Sequence, residues 1–172
     1  MKMVKIIILS LLTFVFSCSS HQKTNNKVVE NFEVEKYLGT WYEIARLDHS
    51  FERGCSNVFA EYSKKEDGGI KVVNTCAKNG KTKSAQARAH FKGGDSSKGF
   101  LRVSFFWPFY GNYKIIYLDE SYQTAMIDGG NTGYFWILSR QKSIPESELK
   151  VLLKKAEDFG FDVSKLIFTK QD

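Results

Sequence analysis

The chain has 172 residues, of which 42% are hydrophobic, with three cysteines and a formal net charge of +6. This length predicts one ordinary domain plus a targeting segment. The Lys and Arg residues are scattered and never form a run, which argues against nucleic-acid binding and is typical of a solvated surface. No metal-ligand spacing, glycine-rich phosphate loop or nucleophile motif is present, so no metal, cofactor or covalent chemistry is expected.

The first residues have the pattern of a secretory signal. Lys2 and Lys5 precede an apolar run over residues 6–16. As a helix this run spans about 16 Å, too short for a hydrocarbon core of about 30 Å. We therefore predict a signal peptide over residues 1–17 rather than a transmembrane helix.

Cys18 follows the small residue Ser17 directly after this run. The junction resembles the bacterial lipoprotein signal, in which the cysteine receives acyl chains such as palmitate and becomes the mature N-terminus. Ordinary cleavage nearby is the alternative. Ser19 rather than Asp in the next position implies, by the same resemblance, sorting to the outer membrane, on its periplasmic face. Two or three acyl chains anchor a protein stably where one does not.

Residues 18–31 are mostly polar and predict a flexible tether. Of the 25 Lys and Arg residues, Lys2 and Lys5 are removed with the signal, which leaves 23 against 19 acidic residues. This modest excess of basic residues is consistent with a protein that lies beside an anionic membrane surface. If Cys18 carries lipid, Cys55 and Cys76 remain as a disulfide pair in an oxidising compartment, with two free buried thiols as the alternative.

A Gly-Thr-Trp motif at residues 39–41 opens the first predicted strand. A glycine that lets the chain bend, followed by a large indole, suits a plug at the end of a barrel. Arg140, at the end of the segment Trp136-Ile137-Leu138-Ser139-Arg140, is placed to lie against Trp41. The alternative is that Trp41 is an ordinary core aromatic residue.

Short alternating strands fill the middle of the chain. We predict them at residues 41–48, 56–64, 70–76, 84–91, 99–106, 112–118, 122–128 and 133–140. Short turns between them predict an all-β fold, an eight-stranded antiparallel up-and-down β-barrel. Ala85, Ala87 and Ala89 alternate on one face of the fourth strand, which predicts either room for a cavity or a tightly packed sheet face.

One helix is predicted outside the barrel, followed by a short final strand at residues 165–169. Ser143 and Glu146 have the spacing of a capping box, and Gly160 ends the helix. The apolar stripe consists of Leu149, Leu152, Leu153 and Ala156. We expect it to pack on outward-facing residues of two strands, namely Ile116, Leu118, Phe135 and Ile137.

Strand direction assigns the two ends of the barrel. Trp41, Asp119 and Arg140 converge on one end, where cation–π contact and charge-assisted hydrogen bonds would seal a floor. The other end is the mouth, where Cys55 and Cys76 meet; the parity of Cys55 requires irregular backbone before the second strand. The aromatic loop at residues 107–111 also lies there. It is expected to contact a membrane interface or a partner, or to fold over the entrance.

Three ordered blocks, around residues 39–46, 118–122 and 136–140, together with the segment at residues 57–63, resemble those of lipocalins. The resemblance is to the bacterial outer-membrane lipoprotein lipocalins related to apolipoprotein D, and it covers a barrel domain at residues 32–172. It implies a calyx that binds fatty acids, phospholipid derivatives or other lipophilic molecules and supports the envelope. By position, Gly39, Trp41, Asp119 and Arg140 form the structural floor.

The leading hypothesis is a non-catalytic lipid binder with no cofactor. The residues expected to contact ligand have inward parity: Ala45, Val58, Ala60, Tyr62, Val72, Ala87, Phe105, Tyr113, Ile115, Tyr117 and Trp136. A structural envelope lipoprotein with a filled barrel is one alternative. A lipid-modifying enzyme is another, with His49 near Asp48 and Glu52 as its acid–base group, although a solvated loop explains that group better. Whether the protein forms a homodimer stays open.

Overall fold

The computed structural model describes residues 21–172, so the predicted signal peptide and Cys18 lie outside the described part of the chain. Its helices are α1 (Val34–Tyr37) and α2 (Glu146–Asp158). The strands are β1 (Gly39–Arg46), β2 (Ser56–Lys64), β3 (Ile70–Lys78), β4 (Lys81–Phe91), β5 (Phe100–Phe106), β6 (Phe109–Leu118), β7 (Thr124–Asp128), β8 (Phe135–Ser139) and β9 (Ile167–Phe168). Within this part no helix is long and apolar enough to cross a membrane.

Strands β1 to β8 form a closed antiparallel barrel, which confirms the predicted fold. Each strand pairs with the next, and β1 closes the sheet by pairing with both β2 and β8, while β9 adds to β1 at Ala45 and Arg46. Closure leaves the eight strands without a free edge over most of their length. Two-residue alternation then separates an inner apolar cluster from an outer one.

The outer cluster lies between α2 and the barrel wall. Leu152 and Ala156 of the helix are buried there against Phe135 and Ile137 of β8. Burying a leucine side chain contributes about 2 kcal/mol, so this stripe, as predicted, fixes the helix on the outer wall. The helix begins at Glu146 after Pro145, and no side chain caps it. The predicted capping box with Ser143 is therefore wrong.

Two β-bulges change which face the following residues present. One lies between Glu43 and Ala45 in β1, and the other between Ile115 and Tyr117 in β6. Because an extra residue reverses the alternation, Ala45 and Tyr117 join the outer cluster, and Leu118 packs against the inner one. Simple alternation predicted the opposite face for all three.

Residues 22–31 do not form the predicted flexible tether. They run along the outside of the barrel from the β7–β8 connection towards α1, with isolated bridges at Lys23–Asn131 and Glu30–Lys98. Val29 bonds through its backbone to Ile115 and Gly99. The approach is so close that a Cβ on Gly99 would lie 2.7 Å from Val29 Cγ2. We call residues 22–31 the lead segment.

Candidate ligand cavity

The floor of the barrel is built on Trp41 and Arg140. The guanidinium carbon of Arg140 lies 4.0 Å from the indole ring centroid. Its nitrogens donate to the backbone oxygens of Thr40 at 2.8 Å, Lys36 at 2.7 Å and Tyr122 at 3.3 Å. The side chain therefore ties the start of β1, the end of α1 and the β6–β7 turn into one closed end.

Gly39 and Asp119 serve this end in different ways. Gly39 has φ of +93°, and a Cβ there would meet Arg140 Nη1 at 3.4 Å, so glycine lets the chain turn tightly beneath the guanidinium. Asp119 forms no bond to Arg140. Its carboxylate instead accepts hydrogen bonds from the Ser121 hydroxyl and from the backbone N–H groups of Ser121, Gln123 and Thr124. These bonds hold the pKa of Asp119 below its ordinary value against the opposing effect of partial burial. The expected charge pair is replaced by a carboxylate that caps its own turn.

Three tyrosines meet near the indole, and the ring centroid of Tyr37 lies 4.8 Å from that of Trp41. The hydroxyl of Tyr113 is 2.7 Å from those of both Tyr37 and Tyr62, and Trp41 Nε1 donates to the backbone oxygen of Tyr37 at 2.8 Å. Burial raises the pKa of all three phenols well above their ordinary value. The phenols at this end of the barrel are thus neutral and hydrogen-bonded to one another, and the charged Arg140 does not line the cavity.

Above this floor is a cavity of about 790 Å³, a size typical of small-molecule sites. Most of its lower wall is apolar, with Val103, Ile127 and Leu138 among the lining residues. Seven of the eleven residues predicted to contact ligand line it, namely Val58, Ala60, Tyr62, Val72, Phe105, Tyr113 and Trp136.

The other four predicted residues lie elsewhere. Ala45 and Tyr117 face the outer cluster because of the bulges, and Lys155 of α2 lies 5.1 Å from the Tyr117 ring centroid. Ala87 and Ile115 belong to the inner cluster, but they pack against other side chains rather than lining the cavity. The alternating alanines of β4 thus fill space at Ala87 instead of making room.

A buried ionic cluster adjoins the cavity near the mouth. Arg46 donates to Glu43 Oε1 at 2.6 Å and to the backbone oxygen of Glu52 at 2.9 Å. His49 Nε2 lies 3.0 Å from Glu52 Oε2, outside hydrogen-bonding angles, and Trp136 Nε1 donates to the same oxygen at 3.2 Å. All four charged or titratable residues are buried. The prediction that His49 and Glu52 are solvated is therefore wrong, whereas Asp48 of the same loop is exposed as expected.

The two carboxylates of this cluster, which both line the cavity, are shifted in opposite directions. Burial, with the nearby charge of Glu52, raises the pKa of Glu43 from 4.5 to about 7 despite the Arg46 contact. Burial also acts to raise the pKa of Glu52, but His49 and the Trp136 N–H outweigh it, and that pKa is lowered. Glu43 is not among the residues that the sequence predicted to contact ligand.

A disulfide joins Cys55 and Cys76 at the mouth, with the two Cα atoms 5.6 Å apart. The register shift between Ser56 and Phe59, with Asn57 at a φ of +50°, provides the irregular backbone that the parity of Cys55 required. In the β5–β6 turn Trp107 is 70% exposed, while Phe106 and Phe109 on either side of it line the cavity. Among the described residues no cluster of His, Cys, Asp and Glu could hold a metal ion.

Comparison with known proteins agrees with this architecture. The Lipocalin-like domain family matches residues 32–171. The outer membrane lipoprotein Blc of Vibrio cholerae is 47% identical over 148 residues, which cover 84% of this chain and 86% of the relative. The protein of the same name from Escherichia coli K12 is 44% identical over 160 residues, covering 91% and 90%.

More distant relatives have the same fold. Apolipoprotein D of Macaca fascicularis is 30% identical over 184 residues, covering 97% of this chain and 95% of the relative. The structure of insecticyanin from the tobacco hornworm Manduca sexta superimposes with a TM-score of 0.71 at 20% identity, covering 86% of this chain and 85% of that one. The domain match and the bacterial relatives together show that the chain belongs to the lipocalin family.

Proposed function

We propose that this protein binds the acyl chain of a fatty acid or phospholipid derivative inside the barrel and stores or carries it at the bacterial outer membrane. The observation that carries the proposal is the cavity of about 790 Å³, sealed below by Arg140 and Trp41 and open at the mouth. Burying each methylene contributes about 0.8 kcal/mol, so roughly ten match the 8 kcal/mol of micromolar binding, and about fifteen also offset some 4 kcal/mol of the association cost.

The polarity of the cavity favours a ligand that enters methyl end first. The floor holds neutral tyrosines, whereas Glu43 and Glu52 lie near the mouth. Because Arg140 does not line the cavity, a charged headgroup at the floor would lose its hydration without an ionic partner, which is costly. Fatty acids brominated near the methyl end should quench Trp41 in a Trp107→Phe/Trp136→Phe variant more strongly than those brominated near the carboxyl. The reverse order would contradict this orientation.

Titration with a fluorescent fatty acid tests the binding itself, with residues 19–172 as the soluble protein. We expect saturable binding that unlabelled fatty acids displace. Ala60→Trp should weaken it at least tenfold because the indole occupies the cavity. Glu61→Trp, on the opposite face of the same strand, is the matched control. Absence of displaceable binding in the parent protein would refute the proposal.

The anchoring part of the proposal rests on Cys18 and on relatives named outer membrane lipoproteins. Acylation of Cys18 after removal of residues 1–17 would hold the barrel at the membrane. Labelling cells with a palmitate analogue should mark the wild-type protein and not a Cys18→Ser variant, which should also leave the membrane fraction. Unchanged labelling of the variant would exclude Cys18 as the anchor.

The proposal contains no catalytic step. Lipocalins are generally binding and transport proteins, and His49 and Glu52 fasten the β1–β2 loop to the barrel through Arg46 and Trp136. The open cavity also favours a binder over a structural lipoprotein with a filled barrel. Co-purified lipid in native mass spectrometry would support binding independently of any chosen probe.

A further inference from the structure

The lead segment determines which end of the barrel the N-terminus leaves from. Gln22 pairs with Thr132 through two hydrogen bonds, and Thr24 N donates to the backbone oxygen of Gly130. The His21 ring packs against Gly133. Because Gly130, Thr132 and Gly133 belong to the β7–β8 connection at the mouth, the described chain begins beside the mouth. Only Ser19 and Ser20 separate His21 from Cys18, so the two Cα atoms are at most about 11 Å apart along three peptide steps.

Large aromatic side chains are exposed at the same end. Phe106, Trp107 and Phe109 of the β5–β6 turn are 80%, 70% and 77% exposed, and Phe51 of the β1–β2 loop is 57% exposed. Phe51 is held in place by stacking on His49, with ring centroids 4.0 Å apart. Such a group of aromatics is unfavourable in water but suits the interfacial region of a bilayer.

Lysine side chains lie at the same end of the barrel as these aromatic residues. Lys78, Lys81 and Lys83 lie in the β3–β4 hairpin, and residues 68–94 contain no Asp or Glu. None of these three lysines takes part in an ion pair with another described residue. Each lysine near an anionic lipid surface contributes about 1 kcal/mol, or about fivefold in binding.

We propose that the mouth of the barrel is a membrane-docking face and that the anchored protein sits mouth-down on an anionic phospholipid surface. The exposed aromatic side chains at the mouth then reach the headgroup region, while the three lysines contact the anionic headgroups. Phe51, Phe106 and Phe109 also line the cavity, so an acyl chain passes between bilayer and barrel with little exposure to water. The inference rests on the proposed function only for the anchor at Cys18.

Energy transfer from a dye on the barrel to an acceptor lipid tests this orientation. The full mature lipoprotein is placed in vesicles of phosphatidylglycerol and phosphatidylethanolamine carrying a headgroup-labelled acceptor. A dye is attached either at Thr82→Cys, in the mouth hairpin, or at Glu66→Cys, in the floor turn. The sites lie about 25 Å apart along β3. We expect higher transfer from position 82. Equal transfer, or higher transfer from position 66, would overturn the proposal.

Two further measurements test whether the difference in energy transfer between positions 82 and 66 arises from contacts of the mouth residues with lipid. Lys78→Gln/Lys81→Gln/Lys83→Gln combined with Trp107→Ser should abolish the difference between labels, while fatty-acid displacement and circular dichroism stay as in the parent. A difference that survives these changes would overturn the role of the rim. Transfer between two copies labelled at position 82, unaffected by the acceptor lipid, would instead show a mouth-to-mouth homodimer and also overturn the proposal. Loss of fatty-acid displacement in the parent would contradict the proposed function alone.

Discussion

The raised pKa of Glu43 predicts a specific dependence of stability on pH. The folded protein holds this proton up to about pH 7, whereas the unfolded chain releases it near pH 4.5. Between these values the folded state binds more protons, so the free energy of unfolding falls as the pH rises. One pH unit corresponds to about 1.4 kcal/mol, so the interval from 4.5 to about 7 corresponds to a full effect of roughly 3.5 kcal/mol. Glu52, whose pKa is lowered, acts in the opposite sense only below its ordinary value near 4.5.

Glu43→Gln removes this proton while keeping the shape and the neutral form. Relative to wild type, the variant should gain stability from pH 5 to pH 8, by up to about 3 kcal/mol. Urea unfolding at half-unit pH steps measures the difference. Glu61→Gln, an exposed position on β2, is the control and should follow the wild-type curve. A wild-type minus variant difference that is flat, or that changes in the opposite direction, would refute the assignment of the buried proton to Glu43.

Three further predictions concern the architecture. Arg140→Lys should lower the free energy of unfolding, measured by urea titration, by about 2 kcal/mol, because a lysine cannot bond to three carbonyls and stack on the indole at once. An unchanged free energy would contradict the role of Arg140 in closing the floor. Replacing Cys55 and Cys76 by serine should cost about 3 kcal/mol for a bridge spanning 21 residues, and a loss below 1 kcal/mol would contradict this. Gly99→Ala should displace the lead segment and speed its hydrogen exchange, whereas Gly111→Ala, with no atom closer than 3.9 Å to its added Cβ, should not.

The closed end of the barrel is the part that the sequence predicts best. Trp41 and Arg140 occupy the ends of strands whose directions follow from counting short connections, so their meeting is a matter of topology. Asp119 lies at the same end, but its partner was not predictable. A carboxylate at the start of a tight turn bonds to nearby backbone N–H groups, and those local bonds form at less entropic cost than a distant charge pair.

The residues of the cavity wall are harder to predict from the sequence. A single undetected bulge reverses the inward or outward assignment of the residues that follow it in the strand. One bulge after Glu43 moves Ala45 to the outer face, and another after Ile115 does the same for Tyr117. Neither bulge contains a glycine or another local signal that would reveal it. In β6 the prediction for Tyr113, which precedes the bulge, therefore holds, whereas that for Tyr117, which follows it, does not.

The lead segment shows why polar composition alone does not imply disorder. Asp128 is fully buried on the outer side of β7, where an unpartnered carboxylate would be strongly destabilising. Thr24 Oγ1 donates to Asp128 Oδ1 at 2.7 Å, Asn26 Nδ2 lies 3.3 Å from Oδ2, and Lys114 Nζ lies 3.9 Å from that oxygen. The same side chains that make the segment resemble a flexible tether are thus the partners of a buried charge. A barrel shortened to residue 32, where the family match begins, would lose two of these partners, so the structural domain starts about ten residues earlier than the sequence family does.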